Sequence, residues 1–207
     1  MSTITNRIPR IALLLDRSGS MASCREHALA AVNGYLREVV DDPALTSGRV
    51  TLLTFDSESV DTVRDDVALA ACPPLETTEF VPRGATPLLD AVAKTVARLD
   101  GYGGRADDPR ILVILTDGYE NASRVQTRAS VSALLKARQA AGWLVLYFGA
   151  NQDSWAEAQH LGVEQGAVAD ISFDKPGHIA CMLSASTQRY VSVGTRGFTA
   201  EERAKGK

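Results

Sequence analysis

Two aspartates and three hydroxyl residues stand where apolar runs end or helical stretches begin. Asp16 closes IALLLD, and Ser18 and Ser20 follow it at alternate positions. Asp117 closes RILVILTD, and Thr86 lies in GATPL, directly before a helical pattern. Their oxygens are hard donors. Mg²⁺ takes about six such ligands in near-octahedral order at about 2.1 Å, and usually keeps some waters. Alternation lets Asp16, Ser18 and Ser20 offer oxygens from one tight loop, with Gly19 relieving the crowding between them. Hydroxyls add no charge, so two carboxylates roughly neutralise a divalent ion and leave it open to one more anionic ligand. Each residue also has an ordinary reading. Ser20 and Thr86 could cap the helices that follow them, and Asp16 and Asp117 could be solvated strand ends. The two readings are compatible, because a hydroxyl has two lone pairs.

The elements around these residues must bring them to one place. Residues 10–15 show no polar alternation, which predicts a strand buried on both faces. A helix is expected from about Met21, with Ala28, Leu29, Val32, Tyr35, Leu36 and Val39 as its apolar stripe. RVTLLTFD reads as a second strand, residues 59–63 as a short antiparallel edge strand, and residues 72–86 as a long loop. Pro87 opens a helix striped by Leu88, Leu89, Val92, Val96 and Leu99. Residues 110–118 form the most apolar strand, which predicts a central position. A helix over 130–141, the strand WLVLYFGA, the short helix DSWAEAQHLG, a last strand in GAVADISF and a terminal helix in GHIACMLSASTQRYVSVG complete the pattern. This rhythm predicts an α/β fold: a doubly wound, mostly parallel sheet with one antiparallel edge strand and helices on both faces. One domain is expected, with its core over about 8–190 and a polar tail over about 195–207. Ligands of such sheets bind beyond the carboxyl ends of the strands, where Asp16, Asp56 and Asp117 all fall.

Composition narrows the function classes. The chain has 207 residues, 45% hydrophobic and 23% charged, with a formal net charge of −3. That balance gives no whole-chain argument for nucleic acid or an anionic membrane as partner. No stretch approaches the roughly 20 apolar residues that cross a bilayer, and Met1–Pro9 does not read as a secretory signal. Cys24, Cys72 and Cys181 are few and widely spaced, as in a reduced, cytoplasmic protein rather than a disulfide framework. His27, His160 and His178 are far apart in sequence, which argues against a zinc site built on histidine pairs.

DRSGSM resembles the DxSxS signature of the von Willebrand factor type A domain, with Thr86 as the matching threonine and Asp117 as the matching aspartate. The likeness extends over about residues 8–175. It implies a metal-ion-dependent adhesion site in which Asp16, Ser18, Ser20, Thr86 and Asp117 hold Mg²⁺, with Mn²⁺ or Ca²⁺ as alternatives. It also implies a protein partner that supplies a Glu or Asp to the ion. FGANQDSWAEAQHLG is similar to stand-alone bacterial relatives. The resemblance therefore implies a cytoplasmic regulatory or adaptor subunit working with an ATPase, kinase or phosphatase.

Enzyme readings fit less well. A haloacid-dehalogenase-type phosphatase needs a second carboxylate two residues after its first aspartate, and that position is Ser18, which cannot serve as a general acid at neutral pH. A receiver domain needs paired acids after its first strand, and no GxxxxGK phosphate loop is present. Cys24 has no general-base partner in sequence. A Mg²⁺-dependent hydrolase on a similar sheet, or an ion that merely ties loops together, remain the alternatives to a binding module. Of the neighbours, Arg17 reads as a solvated rim side chain and Glu120 as a solvated carboxylate. Asp90 reads as a partner of its own helix terminus. Asp56 is placed to hydrogen-bond a loop or a ligating water.

Overall fold

The computed structural model describes residues 7–150 and 154–205. Its strands are β1 (Arg10–Asp16), β2 (Arg49–Phe55), β3 (Val60–Ala68), β4 (Arg110–Thr116), β5 (Leu144–Ala150) and β6 (Val168–Ile171). They form one six-stranded sheet in the order β3-β2-β1-β4-β5-β6. Every neighbouring pair is parallel except β2 with β3. The helices are α1 (Arg25–Val40), α2 (Leu88–Gly101), α3 (Arg128–Ala140), α4 (Ser154–His160), α5 (Pro176–Val193) and α6 (Ala200–Lys205). They cover both faces: α1 packs along α5, whereas α2 contacts β1 and α3. This is the doubly wound, mostly parallel architecture with an antiparallel edge that the residue pattern predicts.

The apolar runs explain the layering. All residues of β1 and β5 are buried, as a strand between two helical layers requires. β3 has only β2 beside it and is half-buried along most of its length, which suits its polar sequence. It is longer than the 59–63 expected. The extra length spans a bulge opposite Thr51, where Asp66 takes φ +47° and its N–H donates to Thr51 Oγ1 at 3.1 Å.

Two further differences have local causes. The chain after Ser18 first makes a tight 3-10 turn, Gly19–Cys24, and α1 starts only at Arg25. Met21, buried in that turn, donates its N–H to Ser18 O at 3.1 Å. The segment after α5 is more ordered than its polarity suggests. Phe198 is buried edge-on against Phe148, at 5.0 Å between ring centroids, and Arg189 pairs with Glu202 at 2.8 Å to hold α6.

The strand order matters for function. From β1 the chain winds outward to β2 and β3, then returns to lay β4 on the other side of β1. The point where winding reverses lies between β1 and β4, and in open α/β sheets a crevice forms there at the strand carboxyl ends. Leu15 pairs with Leu115, so Asp16 and Thr116 emerge side by side at that crevice.

Candidate metal centre

Asp16, Ser18, Ser20, Thr86 and Asp117 come from separate loops and meet at this crevice. Asp16 is fully buried at the end of β1. Its Oδ1 accepts the Ser18 N–H at 2.7 Å, and its Oδ2 accepts Thr116 Oγ1 at 2.6 Å. The first bond closes the loop so that Ser18 turns back over Asp16, and Ser18 Oγ then lies 3.1 Å from Ser20 Oγ. Ser20 Oγ donates to Asp117 Oδ1 at 2.7 Å, which joins the loop after β1 to the loop after β4. Thr86 closes the group from a third side. A Cβ built on Gly118 would lie 3.1 Å from Thr86 Oγ1, 3.7 Å from Asp16 Oδ2 and 3.8 Å from Ser20 Oγ. Oxygens of two loops therefore face one small cradle, and Asp117, on a third, is joined to it through Ser20. Its floor, Asp16, Ser18 and Thr86, is buried, and Ser20 is open to solvent.

Thr86 is fixed through its backbone, not by capping α2. Its N–H donates to Asn121 Oδ1 at 2.8 Å, and its carbonyl accepts the Asn121 N–H at 3.1 Å. No side chain of the residue before α2 caps that helix. Its first amides are satisfied from the loop after β4 instead: Leu89 N–H donates to Glu120 Oε2 at 2.9 Å and Asp90 N–H to Ser123 Oγ at 3.2 Å. Thr86 Oγ1 thus stays turned toward the cradle.

The electrostatics suit a cation. Burial pushes the Asp16 carboxyl up to about 6, against hydrogen bonds from Thr116 and Ser18, and the nearby Asp117 charge pushes the same way. Burial also raises Asp117, opposed by the Ser20 hydrogen bond. Arg17, the basic residue within the signature, faces Asp56 and leaves this pair uncompensated. Among the described residues no three of His, Cys, Asp and Glu gather as a metal-holding group. The cradle has a different donor set, two carboxylates with hydroxyls, which is the hard, weakly charged set that a Mg²⁺-like ion accepts. Cys24 is no nucleophile here, since burial chiefly, with Asp117 and Asp16 adding, pushes its thiol up to about 12.

Three expectations for neighbouring residues are corrected. Arg17 is buried, not solvated: its Nε donates to Asp56 Oδ2 at 2.7 Å and its Nη2 to Asp61 Oδ2 at 2.8 Å. Glu120 is a loop organiser whose Oε1 accepts the N–H groups of Ala122 and Ser123 at 2.9 and 2.7 Å, besides the bond from Leu89. Asp90, in the first turn of α2, spends its carboxylate on the loop after β4, accepting the N–H groups of Arg124 and Gln126 at 2.8 and 2.7 Å. Thr116 and Asn121, which orient Asp16 and Thr86, went unread in the sequence. Their only signal was adjacency to Asp117 in TDGYEN.

Gly118→Ala tests the cradle without removing an oxygen. The new methyl would stand among Thr86, Asp16 and Ser20, and Thr86 would have to yield by a few tenths of an ångström. The expected result is a folded protein with unchanged circular dichroism whose affinity for Mn²⁺ falls about tenfold, a loss of about 1.4 kcal/mol. Unchanged Mn²⁺ affinity would place any cation elsewhere.

No protein-family model matches the sequence, and comparison with curated proteins finds no match. Solved structures do match. The vWF domain of the type V pili tip protein Mfa5 from Porphyromonas gingivalis is 11% identical, with TM-score 0.65, over 96% of this chain and 100% of that one. Manganese-loaded Plasmodium vivax TRAP protein is 15% identical, with TM-score 0.59, over 86% and 74%. A von Willebrand factor type A protein from Catenulispora acidiphila is 14% identical, with TM-score 0.60, over 88% and 43%. The chain therefore spans less than half the length of that last protein.

The cytoplasmic expectation is overturned by these comparisons, which include a pili tip protein, a Lactobacillus rhamnosus GG pilus adhesin and a mussel-byssus thread matrix protein. Sparse cysteines misled because an α/β core of this size needs no disulfides in any compartment. At these identities the likeness establishes architecture, and together with the β3-β2-β1-β4-β5-β6 sheet it gives the chain a von Willebrand factor type A-like fold.

Proposed function

We propose that this chain is a non-enzymatic, divalent-cation-dependent protein-binding module, built as one domain. Asp16, Ser18, Ser20, Thr86 and Asp117 would hold Mg²⁺, with Mn²⁺ or Ca²⁺ as substitutes. The ion would supply a positive centre that accepts a Glu or Asp side chain of a partner protein. The observation that carries this reading is the convergence of Thr86, Asp16 and Ser20 oxygens around the Gly118 cradle. The manganese-loaded Plasmodium protein of similar fold lends support.

The chain's own residues have distinct tasks in this reading. Asp16 and Asp117 balance the ion's charge, and the hydroxyls fill positions without adding charge, which preserves attraction for an outside carboxylate. Thr116 and the Ser18 amide hold the Asp16 carboxylate in place. Asn121 and Glu120 fix the loop after β4 against Thr86 and α2. The open side, at Ser20, is where a partner would approach, and the exposed Tyr119, two residues past Asp117, offers apolar contact beside it.

Titration calorimetry tests the reading. Wild-type protein should take up Mg²⁺ or Mn²⁺ at one site. The Ser18→Ala/Ser20→Ala double variant, which keeps both carboxylates, should bind at least about tenfold more weakly, or about 1.4 kcal/mol less. Normal uptake by the double variant would remove these residues from the site.

A further inference from the structure

We propose that the cluster of Arg17, Asp56 and Arg83, in which Arg17 and Asp56 are buried and Arg83 is exposed, is a positioning device for the proposed cation site: it sets the spacing of two metal-bearing loops and thereby the cation affinity, while supplying no ligand. The inference rests on the reading of Asp16, Ser18, Ser20, Thr86 and Asp117 as ligands.

The cluster centres on Asp56, at the carboxyl end of β2 and almost wholly buried. Its Oδ1 accepts the N–H groups of Glu58 and Ser59 at 2.7 and 3.0 Å, which shapes the turn into β3. Its Oδ2 accepts Arg17 Nε at 2.7 Å and Arg83 Nε at 3.0 Å. Arg17 stands between Asp16 and Ser18, so backbone alternation sends its side chain away from the cradle and into this cluster. There its Nη2 also reaches Ser59 Oγ at 3.1 Å and Asp61 Oδ2 at 2.8 Å.

Arg83 leads into the segment that carries Thr86. Backbone bonds run alongside the ion pairs. Arg83 N–H donates to Arg17 O at 2.9 Å and Gly19 N–H to Gly84 O at 3.0 Å, so the segment is laced directly to the signature loop. Ala85 N–H donates to Ser57 Oγ at 3.0 Å, which ties it to the turn after Asp56 as well. The approach is close: Gly84 has φ +65°, and a Cβ there would meet Ser57 Oγ at 2.4 Å. One carboxylate thus joins the loop of Asp16, Ser18 and Ser20 to the loop of Thr86.

A hard cation demands a narrow range of oxygen spacings. Residues that hold ligands without touching the ion commonly alter affinity by about 10–100-fold. A purely structural cluster would change melting temperature and leave affinity alone. A positioning cluster changes affinity even under conditions where every variant is folded.

Mn²⁺ binding followed by electron paramagnetic resonance separates these cases. The variants are Asp56→Asn, Arg83→Gln and Ser57→Ala, each verified as folded by circular dichroism at the titration temperature. The expected result is Mn²⁺ binding weakened about 10–100-fold in Asp56→Asn, and several-fold in Arg83→Gln and Ser57→Ala, with stoichiometry unchanged. Arg83 is exposed and its loss leaves the buried Arg17–Asp56 bond intact, so Arg83→Gln decides the matter if Asp56→Asn fails to fold. Wild-type affinity in the folded variants, with lowered melting temperatures, would overturn the positioning role alone. A wild-type protein that takes up no Mn²⁺ would overturn the ligand reading and this inference with it.

Discussion

Asp117→Ala should abolish cation-dependent partner association while leaving the fold intact, and the metal-free variant should be as stable as wild type or more so. Two effects set the sign. In the proposed reading, Asp117 would supply one of the two carboxylates that balance a bound cation, and its loss would leave the ion facing Asp16 and hydroxyls only. A hundredfold or greater loss of Mg²⁺ affinity, about 2.7 kcal/mol, is expected. Without a cation, Asp117 and Asp16 are two acids that burial already makes hard to ionise, and the charge of Asp117 raises Asp16 further. Removing one relieves that repulsion at the cost of the Ser20 hydrogen bond. Thermal melts in EDTA and in millimolar Mg²⁺ make the comparison: wild type should gain stability from Mg²⁺, and Asp117→Ala should not. A variant that melts far below wild type in EDTA would assign Asp117 to the scaffold. Retention of a partner by the variant, with loss in chelator, would move the bridging ion to other residues.

Much of the fold was legible because burial leaves a plain mark on sequence. β1, β4 and β5 are unbroken apolar runs, and only a strand covered on both faces tolerates that. The helix stripes at three and four residues were equally readable, and α1 and α2 bury the residues so identified. Less legible were features decided by long-range contact. Nothing in VDTVRDDVA marks the bulge at Asp66, which depends on a hydroxyl of Thr51 across the ladder. The polar stretch after residue 195 gave no hint of α6, because one phenylalanine, Phe198, anchors it in a distant core.

The candidate site divides in the same way. Asp16, Ser18, Ser20 and Asp117 could be picked out because oxygen donors follow strand ends at a spacing that a tight loop can use, and Thr86 as a hydroxyl before a helix that matches the resemblance. The residues that orient them could not. Glu120 read as a solvated acid and Asp90 as a partner of its own helix terminus, since a carboxylate accepting several amides of another loop carries no mark of it in sequence. Arg17 misled for a sharper reason. Its place among polar residues suggested solvent, whereas alternation along the loop turned it inward to a partner 39 residues away. Sequence spacing predicts which side of a loop a residue takes, but not what waits there.

That buried pair carries a large expected stability effect. Asp56→Ala leaves the Arg17 guanidinium, only 8% exposed, without its principal carboxylate. Breaking a buried pair from one side costs about 3–5 kcal/mol. The lower end, about 3 kcal/mol, is expected here, since Arg17 keeps Asp61, whose side chain is 47% exposed and well screened. The pH dependence has a definite sign. Burial alone would raise Asp56, but the amides of Glu58 and Ser59, with Arg83 and Arg17, outweigh it and hold the carboxyl below its ordinary value. Asp61 is lowered as well, chiefly by its hydrogen bond from Arg17. Groups depressed on folding stabilise fully above their unfolded pKa, about 3.9 for aspartate, and lose that contribution as pH falls through the lower folded value. The gap between wild type and Asp56→Ala should therefore be flat from about pH 5 to 8 and shrink below about pH 4, as wild type protonates the carboxylate that the variant lacks. Urea unfolding in EDTA across this range measures it. A gap under about 1 kcal/mol at pH 7, the value typical of an exposed pair, would mean that water reaches the Arg17–Asp56 contact. A gap that widens in acid would reverse the assigned sign.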